Sequence, residues 1–123
     1  MDIRGLLILS GSLLVLSCKK SALPLPSMGA NESTTPIVIP YPPPAARAEI
    51  IPPKPGERVV WIDGTWMWDR RRWVWQRGRW EVPPTGAHYA LSKIVEMPDG
   101  SLNWYPGGWQ THNPQAVQPQ HTD

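Results

Sequence analysis

The sequence predicts a small all-β fold, an antiparallel meander or set of hairpins with a tryptophan-rich face, on three observations. The motif W-x-x-G-x-W occurs three times, at 61–66, 75–80 and 104–109. Apolar and polar residues beside the copies alternate with period two, and tryptophan, valine and threonine favour strands over helix. Turn-forming residues separate the alternating runs. All eight tryptophans of the 123 residues fall in 59–110, whereas ten of the sixteen prolines lie between Lys19 and Arg58. A net charge of +2 from twelve basic and ten acidic side chains lacks the basic excess of a nucleic-acid-binding domain.

Residues 1–17 predict a signal peptide. Arg4 precedes an apolar run from Gly5 to Leu16, the length of a secretory hydrophobic region. A transmembrane helix needs about 20 apolar residues, and this run ends at Cys18-Lys19-Lys20. Val15-Leu16-Ser17-Cys18 resembles the lipobox of bacterial lipoproteins, with Leu16 where that family more often has a smaller residue. The resemblance implies cleavage before Cys18 and acylation of its sulfur and new amino terminus, which anchors a protein far more firmly than one chain does. With Lys19 after the cysteine rather than aspartate, it implies sorting to the outer membrane. No thiol then remains for a disulfide.

From Cys18 to Arg58 the expectation is a disordered proline-rich linker. Leu23-Pro24-Leu25-Pro26, Pro40-Tyr41-Pro42-Pro43-Pro44 and Pro52-Pro53-Lys54-Pro55 disfavour helix and central strand and favour polyproline II. Such a segment serves as a stalk reaching on the order of 100 Å, or as a ligand for a proline-binding groove. The plain spacer is the simpler reading.

Residues 59–110 form the predicted folded module. The three copies resemble the bacterial WxxGxW (YxWxxGxW) repeat family of short exported proteins, whose repeats often read W-x-P-G-x-W. Here Pro106 keeps that proline, Asp63 and Arg77 replace it, and Val59, Trp73 and Leu102 stand where the longer motif has tyrosine. The resemblance brings no catalytic residues. Tyr89 stands where an intermediate copy would begin.

Within the first two copies, Asp69-Arg70-Arg71-Arg72 reads as a turn that sets Trp68 opposite Trp73 and Trp66 opposite Trp75. Gly64 and Gly78 admit two readings. As two-residue hairpin turns they pair Trp61 with Trp66 and Trp75 with Trp80, with all six tryptophans on one face. As bulges in longer strands they bring Trp61 opposite Trp80. One pairing rule covers every tryptophan in the first reading, so Gly64, Gly78 and Gly107 are assigned as turn residues, although Pro106 suits neither primed turn. A further hairpin is expected at 94–104 around Pro98-Asp99-Gly100, and residues 111–123 are expected to be a disordered polar tail.

A 52-residue module without disulfide or metal has little core, and tryptophan supplies up to about 250 Å² of burial per ring. Trp61, Trp66, Trp68, Trp73, Trp75, Trp80, Trp104 and Trp109 are therefore core residues first. Rings left open would bind peptidoglycan, exported polysaccharide or an envelope protein. Arg70, Arg71 and Arg72 are a solvated turn aided by cation–π contact with neighbouring indoles, or a contact for anionic groups. His88, His112 and His121 lack metal-ligand spacing, and no catalytic motif or cofactor signature is present. The expected function is an exported, membrane-anchored lipoprotein that presents a non-catalytic binding module in the cell envelope, or else a purely structural or self-assembling envelope component.

Overall fold

The computed structural model describes residues 22–112. The predicted signal peptide, Cys18 and the tail from 113 onward lie outside these. Ten strands follow in order: β1 Met28–Gly29, β2 Ile37–Ile39, β3 Val60–Ile62, β4 Thr65–Trp68, β5 Trp73–Gln76, β6 Arg79–Glu81, β7 Ala87–Ala90, β8 Lys93–Glu96, β9 Leu102–Tyr105 and β10 Gly108–Thr111. Among the described residues there is no helix, so the fold is all-β.

Strands β3 to β6 make one long hairpin. β4 pairs with β5, placing Trp66 against Trp75 and Trp68 against Trp73, as expected. β3 then pairs with β6, placing Trp61 against Trp80. The register is the same throughout, from Val60 opposite Glu81 to Trp68 opposite Trp73. Gly64 and Gly78 are therefore not hairpin turns, and the pairing of Trp61 with Trp66 and of Trp75 with Trp80 is corrected. Neither glycine has a positive φ, which a type I′ turn requires at both central positions. Nor are they bulges, because Asp63-Gly64 faces Arg77-Gly78 with equal residue count and only the ladder bonds are interrupted. The four-residue tip is closed by Asp69, whose backbone N–H donates to the Arg72 carbonyl at 3.1 Å.

Strands β7 to β10 repeat this architecture. β8 pairs with β9, setting Ile94 opposite Trp104. β7 pairs with β10 in the continuing register, setting Tyr89 opposite Trp109. Tyr89-Ala90-Leu91-Ser92-Lys93-Ile94 thus occupies the place of a fourth, degenerate copy. Gly107 sits in the second ladder break, and its assignment as a turn residue is corrected likewise. A break without ladder bonds demands no amide donor, which explains why Pro106 is tolerated beside it. The predicted tip is present: the Gly100 N–H donates to the Met97 carbonyl at 2.9 Å, and Gly100 has φ +83°, the left-handed residue that follows a type I turn in a three-residue loop. Thr111, assigned to the tail, pairs with Ala87 at the end of β10.

The proline-rich segment is not a free linker. β1 pairs in parallel with β7, Met28 against Tyr89, and β2 pairs antiparallel with β9, Ile37 against Trp104. Backbone N–H groups of Trp61 and Tyr89, at equivalent places in the two hairpins, donate to Pro24 and Ser27 carbonyls at 2.9 and 2.8 Å. We call residues 22–58 the arm. Its prolines do exclude ladder pairing from Pro40 to Val59, as expected from their missing amide donors, but they leave its carbonyls free as acceptors.

The core lies where arm and hairpins meet. Ile39 of the arm, Trp73 of the first hairpin and Trp104 of the second form one buried cluster, flanked by Trp66, Met67, Trp68 and Leu102. Trp73 and Trp104 pack edge to face with centroids 5.2 Å apart, an arrangement that adds about 0.5–1.5 kcal/mol beyond burial. The same geometry recurs in Trp61–Trp80, Trp66–Trp75, Trp68–Trp73 and Tyr89–Trp109.

Candidate functional site

The indole N–H groups determine what the tryptophans do. Cross-strand pairing fixes the rings in rows, and each ring buried against a neighbour needs an acceptor for its N–H. Four of the acceptors come from the arm. Trp73 donates to the Tyr41 carbonyl at 3.1 Å, Trp66 to Ala45 at 3.0 Å, Trp75 to the Glu49 carboxylate at 3.1 Å and Trp80 to Pro52 at 2.9 Å. The arm therefore runs along the first hairpin from its tip toward its open end, with the Tyr41 ring edge-on to Trp68 at 5.5 Å. Trp61 donates to Asp63 and Trp109 to Glu81, each at 2.7 Å. This is the chemistry of polyproline recognition, an extended proline-rich chain across indole donors, formed within one polypeptide.

One polar arm side chain fills each ladder break. In the first hairpin the Glu49 carboxylate accepts from the Gly78 N–H at 2.8 Å as well as from Trp75. These two donors hold its carboxyl below the usual carboxylate range. In the second, the Asn31 amide donates to the Leu91 and Pro106 carbonyls, both at 3.0 Å, while its oxygen accepts from Gln110. The glycines make room: a methyl group on Gly64 would overlap the Trp75 ring, one on Gly78 the Trp61 ring, and one on Gly107 the Leu91–Ser92 backbone.

The eight tryptophans are all buried or half-buried, and none stands as an open flat platform. Arg70, Arg71 and Arg72 are exposed at the first tip. Asp69 organises them, its carboxylate accepting from the Arg71 and Arg72 N–H groups at 2.9 Å; these bonds lower its pKa. The cation over the indoles is instead Arg47 of the arm, 4.8 Å from the Trp66 ring and 6.0 Å from Trp75, which corrects the expectation for the arginine triplet. Glu81 carries Arg79 and Trp109 as donors; burial opposes its charge, and those bonds outweigh burial to lower its pKa. His88 contacts the Ala30 carbonyl at 3.0 Å and His112 approaches Glu32 at 3.3 Å.

A cleft of about 540 Å³ opens between the hairpins at the level of both ladder breaks. Trp61, Ile62 and Met67 supply apolar wall, and Asp63, Gln76 and Arg79 supply polar groups. Its size suits a small ligand. Sequence reading missed it because its walls come from two hairpins and the arm.

Residues 59–81, the whole first hairpin, match the family model of the WXXGXW repeat in two copies. No curated protein and no solved structure matches the chain. The third copy, Trp104 to Trp109, and its degenerate partner at Tyr89 to Ile94 extend the same pairing rule through the second hairpin. The module at 59–111 is thus two WXXGXW-type hairpins, the first of them matched by the repeat family.

Proposed function

We propose that this chain is an exported lipoprotein, anchored in the outer membrane through lipidated Cys18, whose paired hairpins form a non-catalytic binding module of the cell envelope. The cleft between the hairpins carries this reading. It joins apolar wall to hydrogen-bonding groups at its edge, the combination that accepts a sugar ring of peptidoglycan or exported polysaccharide. The carboxylates near it are held in structural bonds, Asp63 by Trp61 and Glu81 by Arg79 and Trp109, rather than poised as an acid–base pair. With the arm folded onto the hairpins, only residues 19–21 separate Cys18 from the first described residue, a reach of roughly 14 Å even when fully extended. The module therefore works at the membrane surface and not at the end of a long stalk.

The test is co-sedimentation of the chain carrying Cys18→Ser with peptidoglycan sacculi, beside Ser92→Trp, which fills the cleft from its exposed rim. Saturable binding that Ser92→Trp abolishes supports the reading; equal binding by both, or none, overturns it. A structural envelope component is the second reading, favoured by the commitment of six of the eight indole N–H groups to internal partners.

A further inference from the structure

The arm makes its tertiary contacts with the hairpins rather than with itself. β1 and β2 each pair with a strand of the second hairpin, and Tyr41, Ala45, Glu49 and Pro52 accept from indoles of the first. Ile39 completes the core between them. To return along its own hairpin the chain must then reverse between Pro52 and Val60. That reversal is made by the turn at Gly56-Glu57-Arg58, directly after Pro52-Pro53-Lys54-Pro55, residues that prefer to run straight. Residues 53–58 are exposed, and a side chain at Gly56 would meet nothing within 4 Å. Beside this reversal Ile50 is 97% and Ile51 38% exposed, two adjacent apolar side chains turned to water with no polar role.

We propose that the arm exchanges between two copies of this chain: residues 22–52 of each copy dock on the hairpins of the other, and the 53–59 connection straightens across the pair. Every arm contact is reproduced between copies, so exchange sacrifices no ladder pair and no indole bond, the circumstance that makes exchange of an identical element an accessible route to dimers. Straightening opens the Gly56–Arg58 turn and continues the extended run of Pro52 to Pro55 through it. It also brings the two 50–58 segments side by side, where Ile50 and Ile51 of each copy find an apolar neighbour. The inference is independent of membrane anchoring and of the cleft, and concerns the surface that the first hairpin offers to a proline-rich occupant.

The pair Val38 and Asn103, directly opposite in β2 and β9, tests it. Opposed residues of an antiparallel pair lie about 4.5–5.5 Å apart at Cα, within the ~4.4–6.8 Å range that a disulfide bridges. Two full-length chains, both with Cys18→Ser, are co-expressed, one carrying Val38→Cys and the other Asn103→Cys, then oxidised with glutathione disulfide and resolved on a non-reducing gel. Exchange predicts a covalent dimer joining the two chains, in amounts that rise with protein concentration. A single chain carrying both substitutions reports that the positions can bond. Absence of the mixed dimer while that double variant closes its own disulfide overturns the proposal. So does an equal yield of dimer when Val38→Cys is paired with Val74→Cys, an exposed position whose ladder partner is Met67 and not Val38.

Discussion

The ring of Trp75 lies over Gly64, close enough that a single methyl group at that glycine would overlap it, and the ring of Trp61 lies over Gly78 in the same way. The first tryptophan of each copy thus covers the glycine of the other, across a hairpin whose constant register sets Trp66 opposite Trp75 and Trp61 opposite Trp80. The spacing of W-x-x-G-x-W is a packing rule between two copies.

Gly64→Ala and Gly78→Ala are therefore expected to destabilise the fold by about 1–3 kcal/mol each, the cost of overpacking a fitted site. Gly56→Ala, where a side chain meets nothing, is expected to be neutral. Denaturant midpoints of the three variants check this.

The arm makes a second prediction. Ile39→Ala removes a buried side chain from the cluster with Trp73 and Trp104 and is expected to cost about 2–5 kcal/mol. Measured in the same denaturation experiment, a neutral result would return residues 22–58 to the role of free spacer.

Acid is expected to weaken the arm's attachment at Glu49. Glu49 has its folded pKa lowered beneath the ordinary 4.5 by the Gly78 and Trp75 donors. A depressed folded pKa contributes stability that is present above the unfolded value and disappears as pH falls through the folded one. Wild type is thus expected to exceed Glu49→Gln in stability at neutral pH, with the gap closing below about pH 4.5. Thermal midpoints from pH 7 to pH 3 follow the gap.

At the first tip Arg70 holds φ 82°, the left-handed region that costs a residue with a side chain roughly 1 kcal/mol. Arg70→Gly is expected to leave stability unchanged or raise it by up to that amount, while Asp69→Ala, which strips the Arg71 and Arg72 amides of their acceptor, lowers it. Comparing the two thermal midpoints separates the effects.

Much of the hairpin structure was legible because its signals are local. Alternation gave Trp68–Trp73 and Trp66–Trp75, Asp69 marked one tip and Pro98-Asp99-Gly100 the other. The choice at Gly64 and Gly78 was not local. Turn and ladder break share the same residues, and what separates them is a ring packed from the opposite strand and a carboxylate from Glu49. The arm was hidden for a different reason. Proline density reports correctly that residues 40–59 form no ladder, yet a chain without its own hydrogen bonds can still be held by donors elsewhere. The available signal was the crowding of six indole N–H groups into residues 61–80, donors that a proline-rich chain with free carbonyls can accept from. Likewise Tyr89 and Ile94 reveal a fourth copy only once their partners Trp109 and Trp104 are known.

The central claim is that the proline-rich arm satisfies the indoles of the first hairpin, and hydrogen exchange of the tryptophan side-chain N–H groups, followed by NMR on the full chain, tests it most directly. The account predicts slowed exchange at Trp66, Trp73, Trp75 and Trp80, the four that donate to Ala45, Tyr41, Glu49 and Pro52. Exchange of these four at the rate of free tryptophan, while the β4–β5 backbone amides stay protected, would contradict it.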